Sequence, residues 1–156
     1  MKILLLAGTY EARIIAKVID KNLKYSLISS LAGITKNPIK ISKKMRCGGF
    51  GGQSGLAKFI SENNIYCIID ATHPFATKIS HNAKTVCNQL DIPYLLCERP
   101  PWIKTTKDKW FEIDNENQLK PYLSDGDLIF VASGRQSVAY FKSHKNIKLI
   151  CRQIDD

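Results

Sequence analysis

Three short runs in this 156-residue chain carry the residues best suited to handling a ligand. They are Gly8-Thr9-Tyr10-Glu11-Ala12-Arg13, the stretch from Arg46 through Gly48-Gly49-Phe50-Gly51-Gly52 to Gly55, and Asp70-Ala71-Thr72-His73-Pro74-Phe75. The second holds five of the nine glycines. Such a density lets a flat or phosphorylated ligand touch the main chain, with Phe50 placed to cover an aromatic ring; a surface loop without a ligand is the alternative. In the third run Asp70, Thr72 and His73 are polar groups at the mouth of an apolar stretch. Histidine is the side chain whose ordinary titration spans neutrality, which makes His73 a candidate proton donor, or else a ring that fixes the proline turn. A fourth run, Ser133-Gly134-Arg135, repeats the pattern with a guanidinium suited to a phosphate or carboxylate. His81 and His144 read as solvent-facing.

The elements that must position these groups alternate regularly. Residues 2–7 (KILLLA) form an apolar run without alternation, the mark of a buried parallel strand, closed by Gly8. Ala12, Ile15, Ala16, Ile19 and Leu23 then recur at helical spacing, with Glu11 at the positive end of the helix dipole. Strand-like runs follow at 25–29, 38–46, 66–69 and 93–97, and helical patterns at 53–63 and from 75 to 90. Strand and helix in alternation predict an α/β domain with a doubly wound, Rossmann-like parallel sheet. Pro100-Pro101 and the polar run 104–109 read as a linker, placing one domain at 1–103 and a second α/β unit at 104–156. In the second unit 110–113 is strand-like, 115–123 weakly helical, 128–132 (LIFVA) a buried strand, 136–142 a helix and 147–151 a strand. So few elements cannot close a core, and that unit is expected to be incomplete.

In an open parallel sheet ligands bind beyond the carboxyl ends of the strands, where the three runs fall. The turn at Gly8 opens a helix whose free N–H groups favour an anion, although Tyr10 stands where a dinucleotide fingerprint has its second glycine. An NAD site usually carries an acid about 20 residues further on, to hold the ribose hydroxyl. Ser29 and Ser30 occupy that place, so a nicotinamide cofactor, if one binds, is expected to be NADPH.

The net charge is +9, and residues 21–61 contain eight Lys or Arg and no Asp or Glu. That basicity admits nucleic acid, an anionic surface or a strongly acidic small molecule as partner. An aromatic-basic platform, a helix-turn-helix signal and zinc spacing are all lacking, which argues against specific nucleic-acid binding. Five scattered cysteines without a C-x-x-C pair offer no metal site and fit a reducing compartment. No apolar run reaches the length of a membrane span. A cytoplasmic protein is expected.

The order of blocks LLLAGTYEAR, SSLAG (29–33), RCGGFGG, IIDATHPFA, ERPPW (98–102) and VASGRQ (131–136) resembles the precorrin-6A and cobalt-precorrin-6A reductases. The resemblance implies hydride transfer from NADPH to a double bond of a corrin precursor in cobalamin biosynthesis, in a cleft between two α/β domains. It implies cofactor contacts at Gly8, Thr9, Glu11, Ser30, Gly33, Gly51, Gly52 and Arg135. Substrate contacts are implied at Arg46, Gly48, Gly49, Phe50, Asp70, Thr72 and His73, with His73 or water giving the proton. A carboxylate-fringed macrocycle agrees with the basic segment. Relatives continue through a second domain where this chain stops, which implies an inactive fragment, or one completed by a second copy or another chain. A transferase using a nucleotide sugar or S-adenosylmethionine is the rival that also fits a glycine turn on an α/β sheet.

Overall fold

The computed structural model describes residues 1–33, 39–100, 103–132, 135–141, 144 and 146–152. Two compact units divide the chain, Met1–Pro101 and Trp102–Asp156.

The first unit is a five-stranded, all-parallel sheet. Its strands are β1 (Lys2–Ala7), β2 (Ser26–Leu31), β3 (Lys44–Cys47), β4 (Cys67–Ala71) and β5 (Tyr94–Leu96), in the order β3-β2-β1-β4-β5. Helices α1 (Tyr10–Ile19), α2 (Gly52–Asn63) and α3 (Thr77–Leu90) connect them. The unalternated apolar run of β1 has its cause in this order: the strand is central and packed on both faces, with Leu4, Leu5 and Leu6 at most 2% exposed. On one face Leu4, Leu6 and Ile68 meet Leu56 and Ile60 of α2 and Ala83, Val86 and Cys87 of α3. On the other Leu5, Leu27 and Cys67 meet Ala12 and Ala16 of α1, with Ile41 of the β2–β3 connection alongside. The chain leaves β1 toward β2 and β3 and returns across it to β4. The sheet therefore reverses its winding between β1 and β4, the place where an open α/β sheet offers a crevice.

Several expected boundaries move. Helix α1 ends at Ile19, so Leu23 lies beyond it and is 95% exposed. The extended piece expected over 38–46 is a strand only from Lys44, the first residue paired with β2, and residue 38 lies outside the described residues. Ser29, the expected last residue of its strand, is followed within β2 by Ser30, and Asp70 belongs to β4. All three are buried. The shift has one cause: a parallel strand inside a sheet is bounded by its ladder, which tolerates a buried serine or aspartate that apolarity alone cannot include.

The second unit holds a two-stranded parallel sheet, β6 (Leu128–Val131) beside β7 (Lys148–Cys151), with α4 (Arg135–Phe141) between them in sequence. A 3₁₀ turn, Glu116–Tyr122, precedes it, and Phe111 packs on Tyr122 with ring centroids 4.5 Å apart. The strand expected at 110–113 does not form; those residues pair with no strand among the described residues. LIFV is a strand but not a buried one: Leu128 and Phe130 are more than 60% exposed, because a two-stranded sheet covers too little of either side. His144 is half-buried against the rings of Tyr140 and Phe141, which corrects its reading as a solvent residue.

Candidate active site

Thr9 closes the reversal point of the sheet. Its hydroxyl donates to the carbonyl of Ala71 at 2.8 Å and accepts from the Ala12 N–H at 3.3 Å. One side chain thus joins the carboxyl ends of β1 and β4 and caps α1. Glu11 follows in the first helical turn. One carboxylate oxygen lies 3.7 Å from Nε of Arg99, and the other is buried with no hydrogen-bond partner. Such an acceptor can take a donor from a ligand, whereas the negative charge makes this helix end a poor seat for a phosphate.

The N-terminus of α2 differs. Its first turn carries no acid, and its cap is Gly51 in the left-handed region (φ 81°), without a side-chain hydrogen bond. The orphan N–H groups of the first turn are left to an anion. The loop before it is held firmly. Arg46, on β3, donates through Nη1 to the Ser30 hydroxyl (2.7 Å) and through Nη2 to the Gly49 carbonyl (2.9 Å). Its guanidinium also lies 4.0 Å from the Phe50 ring centroid and 5.3 Å from that of Phe59. Burial pulls the Arg46 pKa down from its ordinary value. Gly33, at φ +79°, lets the turn after β2 touch this loop, since a Cβ there would meet the Gly48 nitrogen at 3.0 Å. The Gly48 N–H donates to Leu31 at 2.9 Å.

At the end of β4, Asp70 is fully buried and accepts three hydrogen bonds, from the Thr72 N–H (3.1 Å), the Thr72 hydroxyl (2.8 Å) and the Tyr94 hydroxyl (2.7 Å). Burial first, and the bond to Asp70 second, push the Tyr94 phenol up. This network fixes the turn bearing His73, which is exposed. Nδ1 of His73 accepts from the Phe75 N–H at 3.3 Å, so the neutral ring keeps its proton on Nε2, free to donate outward.

A groove of about 370 Å³ joins the glycine loop to the start of α3, lined by Gly49 through Gly52 on one side and by Phe75, Lys78 and Asn82 on the other. Of the predicted contacts, Gly49, Phe50, Gly51 and Gly52 line it; Thr9, Ser30, Gly33, Arg46, Asp70 and Thr72 are used within the protein to build the loops around it. Gly8 lies at the end of β1 with open space around it. Arg135 begins α4, and Ser133 and Gly134 lie outside the described residues. Lys78 and Asn82 escaped the sequence reading, although they share one helix face by their four-residue spacing. No cluster of metal-ligating residues exists among the described residues.

Over residues 2–156 the chain matches the family model described as precorrin-6x reductase CbiJ/CobK. It belongs to that family. A precorrin-6A reductase of Mycobacterium tuberculosis (strain CDC 1551 / Oshkosh) is 45% identical over 141 residues, 90% of this chain and 56% of that protein. One from Sinorhizobium sp is 37% identical over 155 residues, 99% of this chain and 59% of that protein. A solved structure, CobK precorrin-6A reductase, superposes with a TM-score of 0.89 at 30% identity over 99% of this chain and 62% of its own. The family member described here thus spans less than two thirds of the length of these relatives, and the agreement in fold extends to the five-stranded parallel sheet with its flanking helices. No helix among the described residues is long and apolar enough to cross a membrane.

Proposed function

We propose that this chain takes part in the NADPH-dependent reduction of a corrin precursor, precorrin-6A or its cobalt form, in cobalamin biosynthesis, and that it supplies the cofactor-binding part of the site. The supporting observation is the groove between the acid-free, glycine-capped start of α2 and the Phe75 edge of α3, in a chain of this family.

The residues fit a dinucleotide in three respects. The N–H groups of α2 take phosphate oxygens, with Lys78 on the groove wall adding charge. The unpartnered Glu11 oxygen accepts a ribose hydroxyl or carboxamide N–H. No acid stands at the end of β2 to demand a free 2′-hydroxyl, so a 2′-phosphate is accepted. When bound, NADPH supplies the hydride that adds to one carbon of the double bond. The adjacent carbon takes a proton from Nε2 of His73 or from water, and NADP⁺ is left. Phe50 and Phe75, both lining the groove, give apolar surface to a macrocycle or a nicotinamide. Ser30, Arg46, Asp70 and Thr72 then act by holding those loops in place. The five cysteines are free thiols, in keeping with a cytoplasmic setting, and a second copy or another chain completing the site fits the exposed β6–β7 sheet.

Calorimetric titration of the folded chain with NADPH, and with NADH as control, tests the cofactor assignment. Saturable binding that favours NADPH and weakens in Phe75→Ala is the expected result. A folded chain that binds neither nucleotide, or binds S-adenosylmethionine instead, would overturn it.

A further inference from the structure

A groove larger than the one at the glycine loop lies elsewhere in the first unit. About 530 Å³ in volume, it runs along α1 on the opposite face of the sheet, between that helix and the segment leading into β3. It shares no lining residue with the groove at Gly51. Five cations line it: Arg13, Lys17 and Lys21 from the helix and the residues after it, Lys40 and Lys43 from the facing segment. None of the five makes an ion pair among the described residues. The one acid, Asp20, accepts the backbone N–H of Lys43 at 2.9 Å and so fixes the two walls together.

Five unpaired like charges around one concavity repel each other in the free protein, a cost that an anionic ligand relieves. Their arrangement narrows the ligand class. Arg13 and Lys17 lie four residues apart on α1, which a helical rise of about 1.5 Å per residue converts to a step of about 6 Å, and Lys21 follows in the turn after the helix. The positive charge is thus spread along one wall and repeated on the other, unlike the concentrated cradle of backbone N–H groups that holds a phosphate chain. Ile39, two-thirds exposed, and Ile41 line the groove with the cations, apolar surface that a phosphate chain would leave bare. A body with apolar faces and several separated carboxylates satisfies both features.

We infer that this groove is a second site, apart from the reaction centre, for a carboxylate-fringed tetrapyrrole, where the acidic macrocycle is held before or after its reduction. The identity of the macrocycle rests on the functional reading above; the existence of a polycarboxylate site does not.

The test uses the full chain and uroporphyrin I, an octacarboxylate tetrapyrrole, followed by its own fluorescence at physiological salt. Saturable binding is expected, weakened by about tenfold or more in Lys17→Glu/Lys21→Glu/Lys40→Glu, since three reversed charges within one groove oppose an anionic ligand directly. A control of equal net charge, Lys24→Glu/Lys84→Glu/Lys107→Glu, changes exposed lysines outside both grooves and is expected to bind as the parent does. Equal losses in both triple variants would reduce the effect to net charge and overturn the site, as would no uroporphyrin binding at all. Displacement by inorganic tripolyphosphate at equimolar concentration would reassign the groove to phosphate and overturn the carboxylate class. NADPH titration of the same variants separates the two readings. Unchanged NADPH binding with lost uroporphyrin binding supports the second site, and absent NADPH binding with the uroporphyrin pattern intact removes only the reductase assignment.

Discussion

Arg46 donates to the hydroxyl of Ser30 at 2.7 Å from the paired position on the neighbouring strand, and the same guanidinium lies 4.0 Å from the centroid of the Phe50 ring. One side chain thereby ties the end of the β2–β3 ladder to the glycine loop. Arg46→Ala is expected to cost about 1–3 kcal/mol, since it strips the donor from two acceptors and the cation from an aromatic face. Arg46→Lys should recover only part, because an ammonium lacks the planar fork. Urea unfolding of the three proteins measures both; an unmoved midpoint in Arg46→Ala would mean that the loop holds itself.

Gly55 and Gly8 should behave oppositely. A Cβ on Gly55 would come within 1.7 Å of the Phe50 carbonyl oxygen, whereas one on Gly8 meets nothing within 4 Å. Gly55→Ala is expected to lose about 3 kcal/mol or more, and Gly8→Ala to stay within about 1 kcal/mol of the parent while weakening NADPH. Thermal melts with nucleotide titration read the contrast. Comparable stability in the two variants would show that the loop can move away from α2.

Tyr94→Phe removes one of three donors to a carboxylate that is fully buried. The expected loss is about 1–3 kcal/mol, with Asp70→Asn at least as damaging because its amide turns one acceptor into a donor facing donors. Denaturation midpoints decide, and a neutral Tyr94→Phe would mean that water replaces the phenol.

Alkali should destabilise the first unit. Burial pushes the Cys87 thiol up to about 11 from its ordinary 9.0, and it raises Cys67 in the same direction. Tyr94 is raised as well, by burial and then by Asp70. Each group keeps its proton in the folded state above the pH at which the unfolded chain releases it. The stabilisation is therefore complete below about pH 9 and declines as the pH rises toward 11 and beyond. Unfolding midpoints measured across that window should fall, less steeply in Cys87→Ala; a flat profile would contradict the assignment. In the same vein, a disulfide reagent should label exposed Cys47 in the native protein and reach Cys67 and Cys87 only after unfolding.

The alternating grammar of the first unit was legible because parallel strands buried on both sides leave unbroken apolar runs and each crossover leaves a helical stripe. Polar residues inside strands were not. Ser30 and Asp70 read as loop residues because burial of a hydroxyl or carboxylate is licensed by partners distant in sequence, here Arg46 and Tyr94, which periodicity does not reveal. Nor does spacing reveal how Arg46 is held: its two acceptors and two aromatic faces come together only in the fold. The glycine run was conspicuous by density, but the opposite wall of its groove, Lys78 and Asn82, lay in an ordinary amphipathic helix.

The central position of β1 between β2 and β4 also sets a schedule for biosynthesis. Strand β1 gains its first neighbour when residue 31 is available and its second only at residue 71, 40 residues later. At typical translation rates of about 5–20 residues per second, that is an interval of about 2–8 s. During it KILLLA presents an open hydrogen-bonding edge and one uncovered apolar face, the combination most prone to pair with another nascent chain. Synonymous codon changes that slow the ribosome between β2 and β4 should therefore lower the yield of folded protein without altering a single contact in it.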